Sequence, residues 1–211
     1  MDLERVILTP IFSSLILIAS SGTYRYLIEH SFSDMTSTLH LVYKGLTIAF
    51  YFLVVALFFM RSQARATSRS LLARILAYAG TFTPFLLILT KSPETGSTFP
   101  LLSVSIMTCG LLFAIYSLKT LGRSFGIIPQ ARALVRNGPY RLIRHPLYVG
   151  EVVAFGGIIL NGFTISKLGI FLLLAAIESY RAIQEEKILE ETIAEYSMYK
   201  AATKRFIPGV I

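Results

Sequence analysis

An all-α, polytopic integral membrane bundle is the fold this sequence predicts, and three observations predict it. Several apolar runs approach the roughly 20 residues that a spanning helix needs, and the stretch from Leu46 to Met60 contains no charge at all. Only 15% of the 211 residues are charged and 54% are hydrophobic, with a mean hydropathy of +0.64; a soluble domain carries about 25% charged residues. The charges that do occur gather between the apolar runs and after the last of them.

In order, the expected spans are roughly 6–28, 39–60, 75–90, 98–118, 147–162 and 165–180, about five to six membrane segments. The first reads as a retained anchor, because Asp2 and Glu4 beside a single Arg5 make no basic start and no small-residue cleavage site follows. The third carries Pro84, which a packed membrane helix tolerates as a kink. The last two are short and joined by Asn161-Gly162, a turn signal that makes them a helical hairpin. After residue 180 the pattern turns polar, with Ile183, Ile188, Leu189 and Ile193 as an intermittent apolar face. That pattern predicts a C-terminal helix on the cytosolic surface.

Loop charges orient the bundle. Arg61, Arg65, Arg69 and Arg74 lie between the second and third spans, and Lys119, Arg123, Arg132, Arg136, Arg141 and Arg144 between the fourth and fifth. The 30–38 loop has Asp34 and no Lys or Arg, and 91–97 pairs Lys91 with Glu94. The positive-inside rule places both basic loops and both termini in the cytosol. Residues 1–118 hold 8 basic and 5 acidic residues, and 119–211 hold 12 and 7. We read 1–118 as transmembrane scaffold and 119–211 as the working part.

Composition also excludes functions. The net charge of +8 sits on a chain too apolar for a nucleic-acid partner, which leaves membrane lipids and charged small ligands. The single cysteine, Cys109, lies in an apolar run and is expected to be buried packing; His30, His40 and His145 show no metal-ligand spacing.

The most informative segment is Asn137-Gly138-Pro139-Tyr140-Arg141-Leu142-Ile143-Arg144-His145-Pro146-Leu147-Tyr148-Val149-Gly150. Proline disfavours helical geometry in the residue before it and suits the first helical position. The fifth span is therefore expected to start at Pro146 with His145 just outside its positive end, where backbone N–H groups can receive a carboxylate. A helix start explains Pro146 but not Tyr140, Arg144 and Tyr148 beside it; the plainer alternative is a basic loop on lipid headgroups.

A second constellation comprises Glu178, Arg181, Glu185, Glu186 and Glu190. Arg181 and Glu185, four apart, share a helix face, as a surface ion pair or as part of a site. Arg181 falls where an apolar helix leaves the membrane, and an ionisable group there needs a partner or a ligand. Glu151 is the acidic residue inside a span. Tyr196 and Tyr199, three apart, either wall a flat or cationic ligand or anchor at the interface.

The order Leu134-Val135, Gly138-Pro139-Tyr140, Arg144-His145-Pro146, Tyr148 and Gly150, then an apolar hairpin, Arg181, Glu185-Glu186, Leu189, Tyr196 and Tyr199 resembles the isoprenylcysteine carboxyl methyltransferase family, whose relatives include membrane phospholipid methyltransferases. The resemblance covers about the C-terminal half. It implies an integral membrane methyltransferase that uses S-adenosylmethionine, bound by membrane-helix ends and the C-terminal helix rather than by a Rossmann sheet. By position, Arg132, Ala133, Leu134 and Val135 are implied to line the nucleoside. Tyr140, Arg144, His145, Pro146, Leu147 and Tyr148 are implied to hold the rest of the cofactor, with Glu185, Glu186 and Tyr196 from the C-terminal segment. Arg181, facing a substrate carboxylate, and Glu185 are the implied catalytic residues.

The implied reaction is O-methylation of the C-terminal carboxylate of a prenylated cysteine, without a metal. The alternatives are another lipid-soluble acceptor (a phospholipid amine, a thiol or a small molecule) and a non-enzymatic scaffold or transporter. The membrane would be the endoplasmic reticulum in a eukaryote or the inner membrane in a prokaryote, with the active site cytosolic.

Overall fold

The computed structural model describes residues 3–90 and 99–209, and the 91–97 stretch with Lys91 and Glu94 lies outside them, as does Asp2. Seven α-helices follow in order among the described residues: α1 (Leu3–Glu29), α2 (Met35–Met60), α3 (Leu71–Phe82), α4 (Pro100–Leu121), α5 (Pro146–Leu160), α6 (Ile165–Thr192) and α7 (Tyr196–Ala202). The sheet is minimal: β1 (Ala66–Thr67) pairs antiparallel with β2 (Gln130–Ala131). The protein is an all-α integral membrane bundle.

Among the described residues, three helices are long and apolar enough to cross a membrane, Glu4–Glu29, Met35–Met60 and Pro100–Ser124, and Leu71–Leu87 and Pro146–Leu160 are shorter apolar segments. Their outer faces carry large exposed apolar side chains such as Leu17, Ile18, Phe52 and Leu72. On a soluble protein such a surface would associate; here it is the lipid-facing side.

Two expectations about helix continuity change. The third span does not stay α-helical through Pro84. The α-helix stops at Phe82 and continues as a 3-10 segment, Thr83–Leu89, because proline has no N–H to donate to the carbonyl four residues back. The polar stretch after residue 180 is not a separate surface helix either. α6 runs unbroken for 28 residues, about 42 Å at 1.5 Å per residue, so an apolar first half continues rigidly into a polar end beyond a hydrocarbon layer of about 30 Å. α7 is the separate C-terminal helix.

Asn161 and Gly162 form the turn between α5 and α6, with Gly162 at φ 133. The more extensive contact of α5, however, is with α4; α1 packs on α2, α2 on α4 and α3 on α6. Small residues explain the α4–α5 contact. A Cβ added to Gly110 would lie 2.3 Å from the Ala154 backbone nitrogen, and one on Gly150 would lie 2.6 Å from that of Ala114. Gly110/Ala114 and Gly150/Ala154 are four apart on their helices, the spacing that lets membrane helices touch backbone to backbone. Cys109 is exposed, not buried. It sits between Thr108 and Gly110, which face inward, and the 100° step per helical residue turns it to the lipid side.

The main apolar core lies at the basic-loop end. Leu8 and Phe12 of α1, Val54, Leu57 and Phe58 of α2, and Leu147, Tyr148 and Ala182 close around Phe125, Ile127 and Ile128. The N-terminal helices therefore support the α4–α5 loop directly.

Candidate active site

The α4–α5 loop is held along its length by backbone bonds. Ser62 N–H donates to Arg123 carbonyl at 2.9 Å, Arg65 N–H to Ala131 at 2.7 Å and Ser68 N–H to Pro129 at 3.0 Å. Gly138, at φ +54, turns the chain where a side chain would press on Thr120 and Tyr116. Pro139 then opens a 3-10 turn, Gly138–Arg141. Arg144 N–H and His145 N–H donate to the carbonyls of Lys204 and Arg205, which ties the loop to the C-terminal segment. As expected, α5 starts at Pro146 with His145 as its cap position.

Between this loop and the helices lies a cavity of about 270 Å³. Its loop end is lined by Arg132, Ala133, Leu134, Val135, Tyr140, Arg144 and His145, with Glu185, Tyr196 and Tyr199 opposite. Its other end is apolar and is lined by Phe50, Pro84, Phe85, Phe155, Ile158 and Leu174. Leu147, Tyr148, Glu151, Glu178 and Arg181 also line it. Of the residues expected at the site, all but Pro146 and Glu186 line this cavity.

Pro146 is buried as the first residue of α5, where its role is to set the helix start. Glu186 points into a separate ion cluster. Its Oε1 accepts from Arg144 Nε at 2.9 Å and Arg205 Nε at 2.9 Å and lies 3.1 Å from His145 Nε2; Arg205 Nη2 reaches Oε2 at 2.8 Å. Consecutive helical residues point about 100° apart, so only one of Glu185 and Glu186 can face the cavity, and it is Glu185. Its Oε1 accepts the Tyr148 hydroxyl proton and its Oε2 lies 3.8 Å from His145 Nδ1. The His145 and Tyr148 rings stack at 5.4 Å.

Burial works to raise the pKa of Glu186, yet hydrogen bonds from Arg205, His145 and Arg144 outweigh it and hold the carboxyl well below its ordinary 4.5. A carboxyl depressed in the folded state stabilises the fold above its unfolded value and loses that contribution as pH falls toward the folded one. Thermal stability of the detergent-solubilised protein is expected to be insensitive to this group down to pH 4.5 and to decline below it. Glu186→Gln should remove the ion cluster's share of that decline, read as the melting temperature against pH.

Arg181 is 5% exposed and does not pair with Glu185. Its Nη1 donates to both oxygens of Glu178, at 2.8 and 3.0 Å, its Nη2 donates to Ile127 carbonyl at 2.9 Å, and its guanidinium carbon sits 4.9 Å from the Tyr148 ring centre. Nε has no hydrogen-bond partner among the described residues. Helix spacing allows Glu178 and Glu185 equally; Gly80 decides between them. A Cβ on Gly80 would lie 2.9 Å from Glu178 Oε1, so α3 leaves room for that carboxylate. Gly80, Ile127 and the choice of Glu178 as the Arg181 partner are the parts of the site that sequence reasoning missed, and the signal for them was an arginine at the end of an apolar run, which needs a partner.

The three tyrosines near the loop stay protonated. Burial, then the charge of Glu185, holds Tyr140 well above the ordinary phenol value; burial lifts Tyr199 to about 12 and raises Tyr196 as well. Tyr199 donates to Tyr140 carbonyl at 2.7 Å. The Tyr196 hydroxyl, on a residue 1% exposed, has no hydrogen-bond partner among the described residues.

Residues 98–195 match the family model described as phospholipid methyltransferase. Over that segment the chain is similar to this family, which includes the isoprenylcysteine carboxyl methyltransferases. The match supports a membrane methyltransferase. A search of curated proteins gives no match. The matched segment runs from the start of α4 to the residue before Tyr196 and contains the α4–α5 loop, Glu151, Glu178, Arg181 and Glu185. α1 to α3, which brace the loop and supply Gly80, lie outside it, as do Tyr196 and Tyr199.

Proposed function

We propose that this methyltransferase uses S-adenosylmethionine to methylate the carboxylate of a lipid-tailed acceptor, a prenylated cysteine being the leading candidate. The observation that carries the reading is one continuous cavity whose polar loop end meets an apolar end among the helices, with Arg181 on its wall. Methyltransferases of this family generally use S-adenosylmethionine, and the cavity suits it. Its Glu185 and Glu151 carboxylates and Tyr196 ring complement a cation, and the buried Tyr196 hydroxyl lacks, among the described residues, a partner that a polar ligand would supply.

The residues proposed to hold the cofactor are Arg132 to Val135, Tyr140, His145, Leu147, Tyr148, Glu185 and Tyr196, with Arg144 bracing the loop. When bound, the cofactor supplies an electrophilic methyl group on a sulfonium. A carboxylate acceptor is already ionised at neutral pH, so neither a general base nor a metal is needed. The remaining task is alignment, for which effective molarities are large. Arg181 Nε–H, held in place by Glu178 and Ile127, is the proposed donor to the acceptor carboxylate. The apolar walls exclude water and take the lipid tail. The basic loops support a cytosolic position for this site.

A second reading is favoured by Glu151 and Glu178, two carboxylates on the same cavity wall. Glu178 already neutralises Arg181, which leaves Glu151 able to receive a phospholipid amine and its proton. Calorimetry on detergent-purified protein tests the cofactor: S-adenosylmethionine should bind saturably, and His145→Ala and Glu185→Ala should each weaken it about tenfold or more. Methyl transfer from labelled cofactor to farnesylcysteine analogues or to phosphatidylethanolamine then separates the acceptors. No binding to folded wild-type protein would remove the cofactor reading.

A further inference from the structure

Glu4 lies on the first turn of α1, far in sequence from the cavity, yet it is 4% exposed. Its Oε2 accepts from Arg61 Nη1 at 2.6 Å and its Oε1 accepts from the Ile128 backbone N–H at 2.9 Å. Arg61 caps the end of α2. The Ile128 N–H and the Ile127 carbonyl belong to one peptide group, and that carbonyl is the one that accepts from Arg181 Nη2. In a trans peptide the two point opposite ways in one plane, so a carboxylate on one side and a guanidinium on the other grip the same rigid unit.

We infer that Glu4 is a positioning residue for Arg181, acting through the Ile127–Ile128 peptide. The negative charge on the N–H side polarises the peptide and strengthens its carbonyl as an acceptor. Without that carboxylate the Ile128 N–H is a buried orphan, and the loop relaxes to satisfy it. Arg181 then loses the anchor that, with Glu178, fixes the direction of its Nε–H. α1 thereby sets the geometry of a side chain more than 170 residues later in the chain. A bond serving only to tie α1 to α2 would need Arg61 alone; the second oxygen on the loop peptide is what the tie leaves unexplained.

The inference rests on the reading of Arg181 as the acceptor donor, and two readouts keep them apart. In the full chain, Glu4→Ala is expected to raise acceptor KM about tenfold with cofactor Kd unchanged within about twofold, and Glu4→Gln, which keeps an oxygen for the Ile128 N–H, to recover most of the loss. On an Arg181→Lys background, Glu4→Ala should cost less than about twofold more, as expected of two groups acting as one unit. Equal weakening of cofactor and acceptor, or the full penalty on that background, overturns the inference. Amide hydrogen exchange over residues 125–130, measured without cofactor or acceptor, judges the linkage by itself: faster exchange in both Glu4→Ala and Arg181→Lys supports it, and unchanged exchange in either overturns it. Normal acceptor kinetics in Arg181→Lys would instead remove the proposed role of Arg181 and leave the exchange result to stand. If Glu4→Ala does not fold, Glu4→Asp, one methylene too short to reach both partners, carries the same measurements.

Discussion

Arg181→Lys is expected to lower acceptor turnover about 100-fold, the loss that a misplaced reacting group brings, while S-adenosylmethionine binding stays within about twofold. The guanidinium meets Glu178 with one nitrogen and Ile127 carbonyl with another and still carries Nε–H. An ammonium is a single point of charge on a flexible stem and cannot hold those three directions at once. Steady-state kinetics with the acceptor varied, beside calorimetry with the cofactor, checks both halves. Arg181→Ala should behave differently again. It strands the Glu178 carboxylate in a buried site, at about 3–5 kcal/mol, and should show first as a lowered melting temperature. Normal turnover in Arg181→Lys would shift the acceptor reading toward an amine received by Glu151.

Gly110→Val and Gly150→Val are expected to cost about 3 kcal/mol or more each, at the upper end of overpacking penalties, and to deplete folded protein in detergent. The obstacle is backbone: the new Cβ would lie 2.3 Å from the Ala154 nitrogen and 2.6 Å from the Ala114 nitrogen, respectively. Such atoms cannot rotate away as a side chain does, so α4 and α5 must separate. Because α5 begins at His145-Pro146 and carries Tyr148 and Glu151, separation moves one wall of the cavity. Gly156→Ala on the same helix is the control. Nothing lies within 4 Å of its added Cβ, and relief of glycine's helix penalty should raise stability by about 0.5–1 kcal/mol. Equal melting temperatures for Gly156→Ala and Gly150→Val would show that the close crossing of α4 and α5 is not what holds them together.

Local rules made part of this site readable in advance. Pro146 starting α5, with His145 as its cap, follows from the geometry of proline and its preceding residue, and Asn161-Gly162 turns as turn chemistry demands. Leu134, Val135, Tyr140, His145, Tyr148, Glu185 and Tyr196, which the family resemblance grouped together, line one cavity. Angular choices were not readable. Glu185 and Glu186 are chemically identical neighbours, and Cys109 has the composition of a core residue; which way each points depends on how its helix is rotated against others. Likewise, two carboxylates were within helical reach of Arg181, and a missing Cβ at Gly80, about 100 residues earlier, left the space for Glu178.

The sequence by itself therefore determined the membrane class, the start of α5 and the chemistry gathered in the loop and on α6, because hydropathy, proline geometry and residue type are properties of short stretches. The tertiary structure alone decided that α5 lies against α4, that Glu186 braces the loop from outside the cavity, and that Arg181 is held by Glu178 and by a peptide which Glu4 grips from the other side. These are contacts between residues tens to more than a hundred positions apart. Their selection depends on backbone distances of a few ångströms at helix crossings, and no local pattern encodes those distances.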